Sequence, residues 1–214
     1  MRPTLCWAIA LQLLSTASLA SQQPATDTAG AYHALLARLK ARDTSIDFTA
    51  LRLAYAHSPE YSPYGSDADD LRDSMMAALQ RRDYRRAVQQ ADSALTFDYL
   101  DIRTHVMRAF AAEQAGDSAA ATWDRVVASL LTRSITRSGS GNADSPYVVV
   151  SVAEEYAVLG MTGYDRGRQS LGKCGKRPCD VLETTNHETG QPRTFYFDIS
   201  LPMGHLDHLF DNKH

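Results

Sequence analysis

The sequence lacks the short motifs that mark many catalytic sites. It contains no G-x-S-x-G nucleophile elbow, no glycine-rich phosphate loop leading into a helix and no H-E-x-x-H zinc motif. These motifs position nucleophiles, phosphates and metal ions through local geometry, so each absence removes support for the enzyme class that depends on it. We therefore expect no cofactor and favour a non-catalytic role.

The sequence also lacks an excess of positive charge. Its 22 lysines and arginines are outnumbered by 25 aspartates and glutamates, which gives a formal net charge of −3. Nucleic-acid-binding surfaces are built from clustered basic residues, whereas the basic residues here are dispersed. The densest basic cluster, at residues 80–86, is predicted to be a solvated helix face. We expect no nucleic-acid partner.

Strongly apolar stretches of the signal-peptide type are confined to the N-terminus. Arg2 precedes an apolar stretch at residues 5–14, and small residues follow it as far as Ala20. The stretch is shorter than the roughly 20 apolar residues that cross a bilayer, so the pattern is typical of a secretory signal peptide at residues 1–20. A retained anchor is the alternative. We predict a periplasmic or secreted protein with no membrane span after signal removal and with a flexible leader at residues 21–30.

Cysteine is scarce. There are three cysteines, and Cys6 lies inside the predicted signal peptide, which leaves Cys174 and Cys179. An exported protein meets an oxidising environment in which neighbouring thiols usually pair. Structural zinc needs about four ligands, and thioredoxin-like redox pairs have C-x-x-C spacing, so the metal and redox alternatives fit this pattern less well. We predict a structural disulfide.

Residues 31–137 have the apolar spacing of amphipathic helices, in which Leu35 and Leu39, for example, are one helical turn apart. A weak internal repeat aligns the segment starting at Arg82 with the segment starting at Gly116, an offset of 34 residues. This offset equals the length of a tetratricopeptide repeat. We predict tetratricopeptide-like helical hairpins. A generic helical bundle is the alternative, because about two repeats are visible and about three are usually needed for a solenoid.

The pattern changes after residues 138–146, which are rich in glycine and serine and are predicted to be a linker. Residues 147–152 form a β-branched run typical of a strand buried on both faces. Three further strands are expected around residues 168–173, 180–185 and 193–200. We predict a small α/β domain with antiparallel strands at residues 147–203, followed by a tail at residues 204–214 that frays.

A helix is predicted between the first strand and the others. Ser151 and Glu154 have the spacing of a capping box, in which each side chain bonds to the backbone amide of the other residue. The helix is expected to end at Gly160, because glycine commonly terminates helices. The predicted fold class is therefore α+β, with helical hairpins followed by a strand, a helix and an antiparallel β-meander.

The segments FTALRLAYAHSPEYSPYG, YVVVSVAEEYAVL and TFYFDISLPMGHL resemble a bacterial exported family known as domain of unknown function 4919. The resemblance covers the chain from about Tyr32 to Leu206. It implies secretion from bacteria and a helical half followed by a small β-containing half. It implies no activity.

The first candidate binding residues are Glu154, Glu155 and Tyr156. Two carboxylates in the first turn of a helix interact favourably with the helix dipole, so we expect capping by Glu154 and a solvated charge at Glu155. The functional alternative is an acid or a metal ligand in a cleft between the two halves. Because consecutive helical residues point about 100° apart, a catalytic dyad is disfavoured.

Three further candidate binding residues lie outside this helix. Tyr61 and Tyr64 belong to a proline-rich loop that suits either recognition of a peptide or glycan, or packing against the helices. We favour packing. Asp198 lies on the polar face of the last predicted strand, where it is either a hydrogen-bond acceptor at the strand edge or part of a groove.

The candidate metal ligands are His205, His208 and Asp211. The two histidines are three positions apart, close enough on a helix to share a divalent ion. Adventitious binding or none is favoured because the residues lie at the chain end. His33 and His105, among the isolated histidines, are expected at surface or half-buried positions.

These observations favour a non-catalytic exported module that binds a peptide or protein partner in the cell envelope. Helical hairpins commonly present concave faces to extended segments. The alternative function is a metal-dependent hydrolase that uses the C-terminal histidine and aspartate cluster together with Glu154 or Glu155.

Overall fold

The computed structural model of the protein describes residues 28–65 and 67–211. The predicted signal peptide and residues 21–27 of the predicted leader lie outside the described residues. The first helix begins at Thr28, three positions before the start that we expected. Within the described residues, no helix has both the length and the apolar character needed to cross a membrane.

Six helices form the first part of the described chain, from residue 28 to residue 136. They are α1 (Thr28–Lys40), α2 (Phe48–Ala56), α3 (Asp69–Gln80), α4 (Tyr84–Phe97), α5 (Ile102–Gln114) and α6 (Ser118–Thr136). Neighbouring helices pack in sequence order from α3 to α6. Four of the six have an aspartate as N-cap that accepts hydrogen bonds from backbone amides of the first turn, which explains where these helices begin.

The 34-residue repeat of the sequence corresponds to two similar turns. Arg82 and Gly116 both have a positive φ, of 58° and 90°. The next residues, Asp83 and Asp117, each cap a helix by accepting from the amide three positions later. The α3–α4 and α5–α6 connections therefore share their capping chemistry. The likeness to tetratricopeptide packing stays a prediction.

The second part contains four strands and two helices. They are β1 (Tyr147–Val148), α7 (Val152–Thr162), β2 (Tyr164–Cys174), β3 (Arg177–Asn186), β4 (Pro192–Asp198) and α8 (Ser200–Asp211). The strand order in the sheet is β1-β4-β3-β2. Strands β2, β3 and β4 form the predicted antiparallel meander, and β1 joins its edge in parallel with β4. The α+β prediction is confirmed, with a sheet that is mixed rather than wholly antiparallel.

The first strand is shorter than predicted. The β-branched run at residues 147–152 is a strand only at Tyr147–Val148. Val149 and Val150 are buried, but the backbone amide of Val150 donates to the Glu154 carboxylate at 2.8 Å. The predicted burial is confirmed for these two valines, but only the Val149 amide still donates to β4, at the Asp198 carbonyl, and the Val150 amide donates to a side chain of the next helix.

Three predicted boundaries also move. Helix α7 continues through Gly160 to Thr162 and ends at Gly163, whose φ of 81° suits the left-handed conformation of a helix cap. Strand β4 ends at Asp198 because the Asp198 carboxylate accepts from the amide of Ser200, at 3.0 Å, where α8 begins. Residues 200–211 form a helix that includes most of the predicted tail, and the fraying of that tail stays a prediction.

One hydrophobic cluster draws side chains from both parts of the chain. It includes Leu51 and Leu131 from the helices as well as Phe195 and Phe197 from β4, all at most 1 % exposed. The predicted disulfide between Cys174 and Cys179 is present and joins β2 to β3 across their turn. A bridge that closes so short a loop stabilises the hairpin by about 2 kcal/mol in the chain-entropy model.

Candidate functional site

A cleft of about 620 Å³ opens between the helical part and α7. Its walls come from residues 62–65, the N-terminal turns of α3, the N-terminal half of α5 and one side of α7. Ligand pockets typically have volumes of about 300–1,000 Å³, so the cleft has the size of a binding site.

Helices α5 and α7 supply the apolar walls of the cleft. The apolar side chains from these helices are Ile102, Val106, Met107, Val152, Ala153, Ala157 and Met161. On α7 they recur at successive turns, because residues four apart share a helix face. Met161 is 41 % exposed, and a flexible thioether at such a position adapts to differently shaped ligands.

Four charged side chains of the lining lie close together, and we call this part of the cleft its charged end: Asp69, Arg72, Asp98 and Asp101. The Arg72 guanidinium donates from Nε to Asp101 Oδ2 at 2.6 Å and from Nη1 to Asp69 Oδ1 at 2.5 Å. Asp101 is held in place because it also caps α5, accepting from the amides of Arg103 and Thr104. Arg72 is therefore fixed by two carboxylates that the helix termini position.

Asp98 is the remaining carboxylate of the cleft, and its bonding is incomplete. Its Oδ1 accepts from the Leu100 amide at 3.0 Å, while its Oδ2 lies 3.8 Å from Arg72 Nη2. Burial raises the pKa of Asp98 to about 6, and the negative charge of Asp101 adds to that rise. A carboxyl group with a perturbed pKa inside a cleft is a feature of functional sites.

The two predicted loop tyrosines have different positions. Tyr61 is 8 % exposed and donates from its hydroxyl to the Val150 carbonyl at 2.6 Å, with its ring edge-on to Tyr55 and His205. Tyr64 lines the cleft and is 48 % exposed. Packing therefore accounts for Tyr61, whereas Tyr64 lies in the cleft, where it could contact a ligand.

The predicted capping box is wrong. The Ser151 side chain makes no capping hydrogen bond. Glu154 instead accepts from Arg52 through two hydrogen bonds of 2.6 Å, and both side chains are almost fully buried. Arg52 also donates to the Val148 carbonyl at 2.9 Å. This ion pair joins α2 to the start of α7 and fixes one wall of the cleft.

The expectation that Glu155 is a solvated charge is also wrong. Glu155 is 0 % exposed, and within the described residues no donor reaches either of its carboxylate oxygens. Burial raises the pKa of Glu155 to about 9, and the negative charge of Asp180 and a hydrogen bond to it add to the rise. At neutral pH the group is therefore an uncharged carboxylic acid beside Asp180.

Tyr156 and Asp198 complete the predicted binding residues. Tyr156 lines the cleft, and its hydroxyl donates to the Gln169 side chain on β2. Asp198 lies outside the cleft, 5 % exposed, where it accepts from Arg177 at 2.9 Å and caps α8. Of the six predicted binding residues, only Tyr64 and Tyr156 line the cleft.

The histidines give a mixed outcome. His105, expected at a surface or half-buried position, is 1 % exposed and bonds to Asp124 at 2.8 Å through Nδ1. The His205 ring packs against Tyr61. The side chains of His208 and Asp211 lie outside the described residues, so the metal site stays a prediction. Among the residues that are described, no three histidine, cysteine, aspartate or glutamate side chains could hold a metal ion together.

Sequence reasoning missed the charged end of the cleft. Asp101 carries a readable signal, because an aspartate just before an amphipathic segment is typical of an N-cap. Asp98 and Arg72 carry none, since their proximity arises only when α3 packs against the α4–α5 connection.

Comparison with known proteins adds the family. Residues 22–208 match the family model described as Domain of unknown function (DUF4919). Neither the curated proteins nor the solved structures gave a match. The resemblance stated from the sequence is thereby confirmed at the level of the family.

Proposed function

Because the chain belongs to the DUF4919 family, whose description assigns no function, we propose a function from the cleft: the protein is a non-catalytic binding module for an extended peptide segment of a partner protein. The observation that supports this most directly is the open cleft of about 620 Å³ with apolar walls and a charged end.

The length of the cleft suits an extended peptide. Cleft-lining residues of α7 run from Val152 to Met161, and a helix rises 1.5 Å per residue, so the wall is about 13 Å long. An extended chain advances about 3.3 Å per residue, and about four residues therefore fit along the wall. Alternate side chains of such a peptide would contact the two helices that form the walls.

The chemistry of the lining favours binding over hydrolysis. Among the described residues, the side chains that line the cleft include neither histidine nor cysteine. The buried acids next to it are engaged, Glu154 by Arg52 and Glu155 by Asp180. The lining offers apolar contact area with a few polar groups at one end, which is the usual composition of a binding pocket.

A titration with a neutral peptide tests the proposal. We expect the capped tripeptide Leu-norleucine-Leu to shift amide NMR signals of residues 102–107 and 152–161 in a saturable manner. Gly160→Phe should abolish the shifts, because a side chain built at this cleft-lining helical position meets no atom within 4 Å and would occupy the cleft. Replacing a glycine inside a helix also lowers the conformational entropy of the unfolded chain, so the fold should persist.

The matched control is Gly204→Phe. Gly204 is on α8, also has open space around the position of a Cβ, and does not line the cleft. This variant should bind the tripeptide as the unmodified protein does. The proposal fails if no saturable shift is seen, or if the two variants bind equally.

We also propose that this binding takes place outside the cytoplasm. The N-terminal pattern is that of a signal peptide, and the Cys174–Cys179 disulfide suits an oxidising compartment. Intact-mass analysis of the protein from its own cell should give a chain that starts at Ser21 and has no free thiol. A full-length chain with reactive thiols would contradict export.

A further inference from the structure

We propose that the cleft selects a peptide with a cationic side chain, lysine or arginine, which pairs with the Asp98 carboxylate while neighbouring apolar side chains pack between α5 and α7. This inference rests on the proposed function and names the class of ligand for the same cleft.

Asp98 is the carboxylate with capacity for a ligand. Arg72, the nearest cation, places its two short hydrogen bonds on Asp101 and Asp69 and stays 3.8 Å from Asp98 Oδ2. Within the described part of the chain no donor lies within hydrogen-bonding distance of that oxygen. A half-buried carboxylate gains most from a cation that brings its own hydrogen bonds.

The charge of the lining points the same way. Three aspartates and two arginines line the cleft. One arginine, Arg72, is already bound to two of those aspartates, and the other, Arg103, is exposed at the mouth. Apart from Arg103, these side chains carry a net charge of −2 when ionised, and Asp98 is the aspartate among them without a short hydrogen bond to Arg72. Complementary charge on the ligand would fix its register along the apolar walls.

A metal ion fits this end less well than an organic cation. Divalent ions need several ligands around one point, and no group of three acidic, histidine or cysteine side chains in the described residues converges in this way. A lysine or arginine side chain needs one carboxylate and an apolar surface for its methylene groups, both of which the cleft provides.

The groups around Asp98 set its response to pH. The positive charge of Arg72, on α3, favours the ionised form of Asp98. The negative charges of Asp101, at the start of α5, and of Glu154, on α7, disfavour that form. Tyr32 of α1 and Tyr55 of α2 also face it, and burial raises the pKa of both phenols so that they stay neutral. Since the pKa of Asp98 is raised to about 6, the carboxylate is charged at pH 7.5 and mostly neutral at pH 5. Binding of a cation should therefore weaken as the pH falls through this range.

Three capped tripeptides that differ only in the central residue test the inference by calorimetric titration. Leu-Lys-Leu should bind about tenfold or more tightly than Leu-norleucine-Leu at pH 7.5, and Leu-Glu-Leu should bind more weakly than both. The lysine peptide should lose most of this advantage at pH 5, whereas the affinity of the norleucine peptide should change little.

Asp98→Asn is the critical variant. Its side-chain oxygen still accepts from the Leu100 amide, so the local turn is kept while the charge is removed. It should bind the lysine and norleucine peptides with equal affinity, and a circular dichroism spectrum like that of the unmodified protein would show that it is folded. Asp165→Asn, the same change at an exposed residue of β2, should keep the preference for lysine.

The outcomes separate the two proposals. If the norleucine peptide binds and Gly160→Phe blocks it, but lysine gives no advantage or Asp98→Asn leaves the advantage intact, this inference is wrong and the peptide-binding function stands. If none of the three peptides binds, both are wrong.

Discussion

Two neighbouring carboxylates on opposite faces of helix α7 have opposite electrostatic environments. Glu154 and Glu155 are adjacent in sequence and both nearly fully buried. Glu154 points toward the helical part, where Arg52 meets it, and Glu155 points toward the sheet, where Asp180 meets it. One carboxylate is compensated by a cation, and the other is placed against a second acid.

Glu154 occupies a fully bonded environment. Arg52 donates to both of its oxygens, and the Val150 amide donates a third hydrogen bond at 2.8 Å. Taking two charges out of water is costly, and this cost is offset only when geometry and additional hydrogen bonds are good. The pair therefore serves mainly to fix α2 against the start of α7, which forms one wall of the cleft.

Glu155 illustrates the alternative solution. Without a cation or a donor at either oxygen, a buried carboxylate lowers its free energy by taking up a proton. Asp180 is satisfied by Gln169 of the neighbouring strand β2, which donates at 2.7 Å. The comparison shows that the ionisation of a buried acid depends on partners from distant elements. Its neighbours in sequence do not determine it.

The largest loss of stability should come from breaking the buried ion pair between Arg52 and Glu154. Arg52→Met removes the cation while Glu154 stays buried, and losing one partner of a buried ion pair typically costs about 3–5 kcal/mol. Urea unfolding followed by circular dichroism should show a loss of this size in the free energy of unfolding. The double variant Arg52→Met with Glu154→Gln should be more stable than the single variant, because it leaves no uncompensated charge.

An exposed ion pair provides the matched control. Arg168 donates to Glu183 at 2.6 Å, the same distance as in the buried pair, but the two side chains are 76 % and 53 % exposed. Arg168→Met should leave the unfolding midpoint unchanged within error, since water replaces the lost partner. A comparable loss in both arginine variants, or no recovery in the double variant, would contradict the role assigned to burial.

Local chemistry made much of the fold predictable. The helices follow from apolar spacing and aspartate caps, and the β2–β3 hairpin from two cysteines on either side of a turn. The predicted end of α7 is wrong because Gly160 lies inside the helix while Gly163 adopts the left-handed conformation that ends it. From the sequence, either glycine could end the helix. The backbone conformation of the folded chain determines which one does.

The cleft was less predictable because long-range contacts assemble it. Arg52 and Glu154 are 102 residues apart, and Arg72 and Asp101 are 29 apart. A carboxylate at the start of a helix looks the same in sequence whether it caps, pairs or takes up a proton. The sequence predicted Tyr64 and Tyr156 as candidate binding residues. It did not predict that they line the same cleft as Asp98, because tertiary packing brings these residues together.

The second effect concerns the protonated Glu155, and it is the smaller of the two only at mildly acidic pH, because it grows with pH. Glu155→Gln keeps the shape of the neutral acid and can donate to Asp180, but it cannot ionise. In the unmodified protein the pKa of Glu155 rises from 4.5 in a free side chain to about 9 in the fold. Between these values the folded state holds a proton that the unfolded state has released, so stability falls as the pH rises.

The variant should therefore match the unmodified protein near pH 4.5 and exceed it increasingly above that pH, by roughly 1 kcal/mol per pH unit. Urea unfolding at pH 5, 6.5 and 8 measures this difference, and contributions from other titrating groups cancel in it. Glu183→Gln, the same change at an exposed residue of β3, controls for the loss of one negative charge. A constant difference between Glu155→Gln and the unmodified protein across this pH range would mean that Glu155 is ionised in the fold, and the contrast between the two faces of α7 would then be wrong.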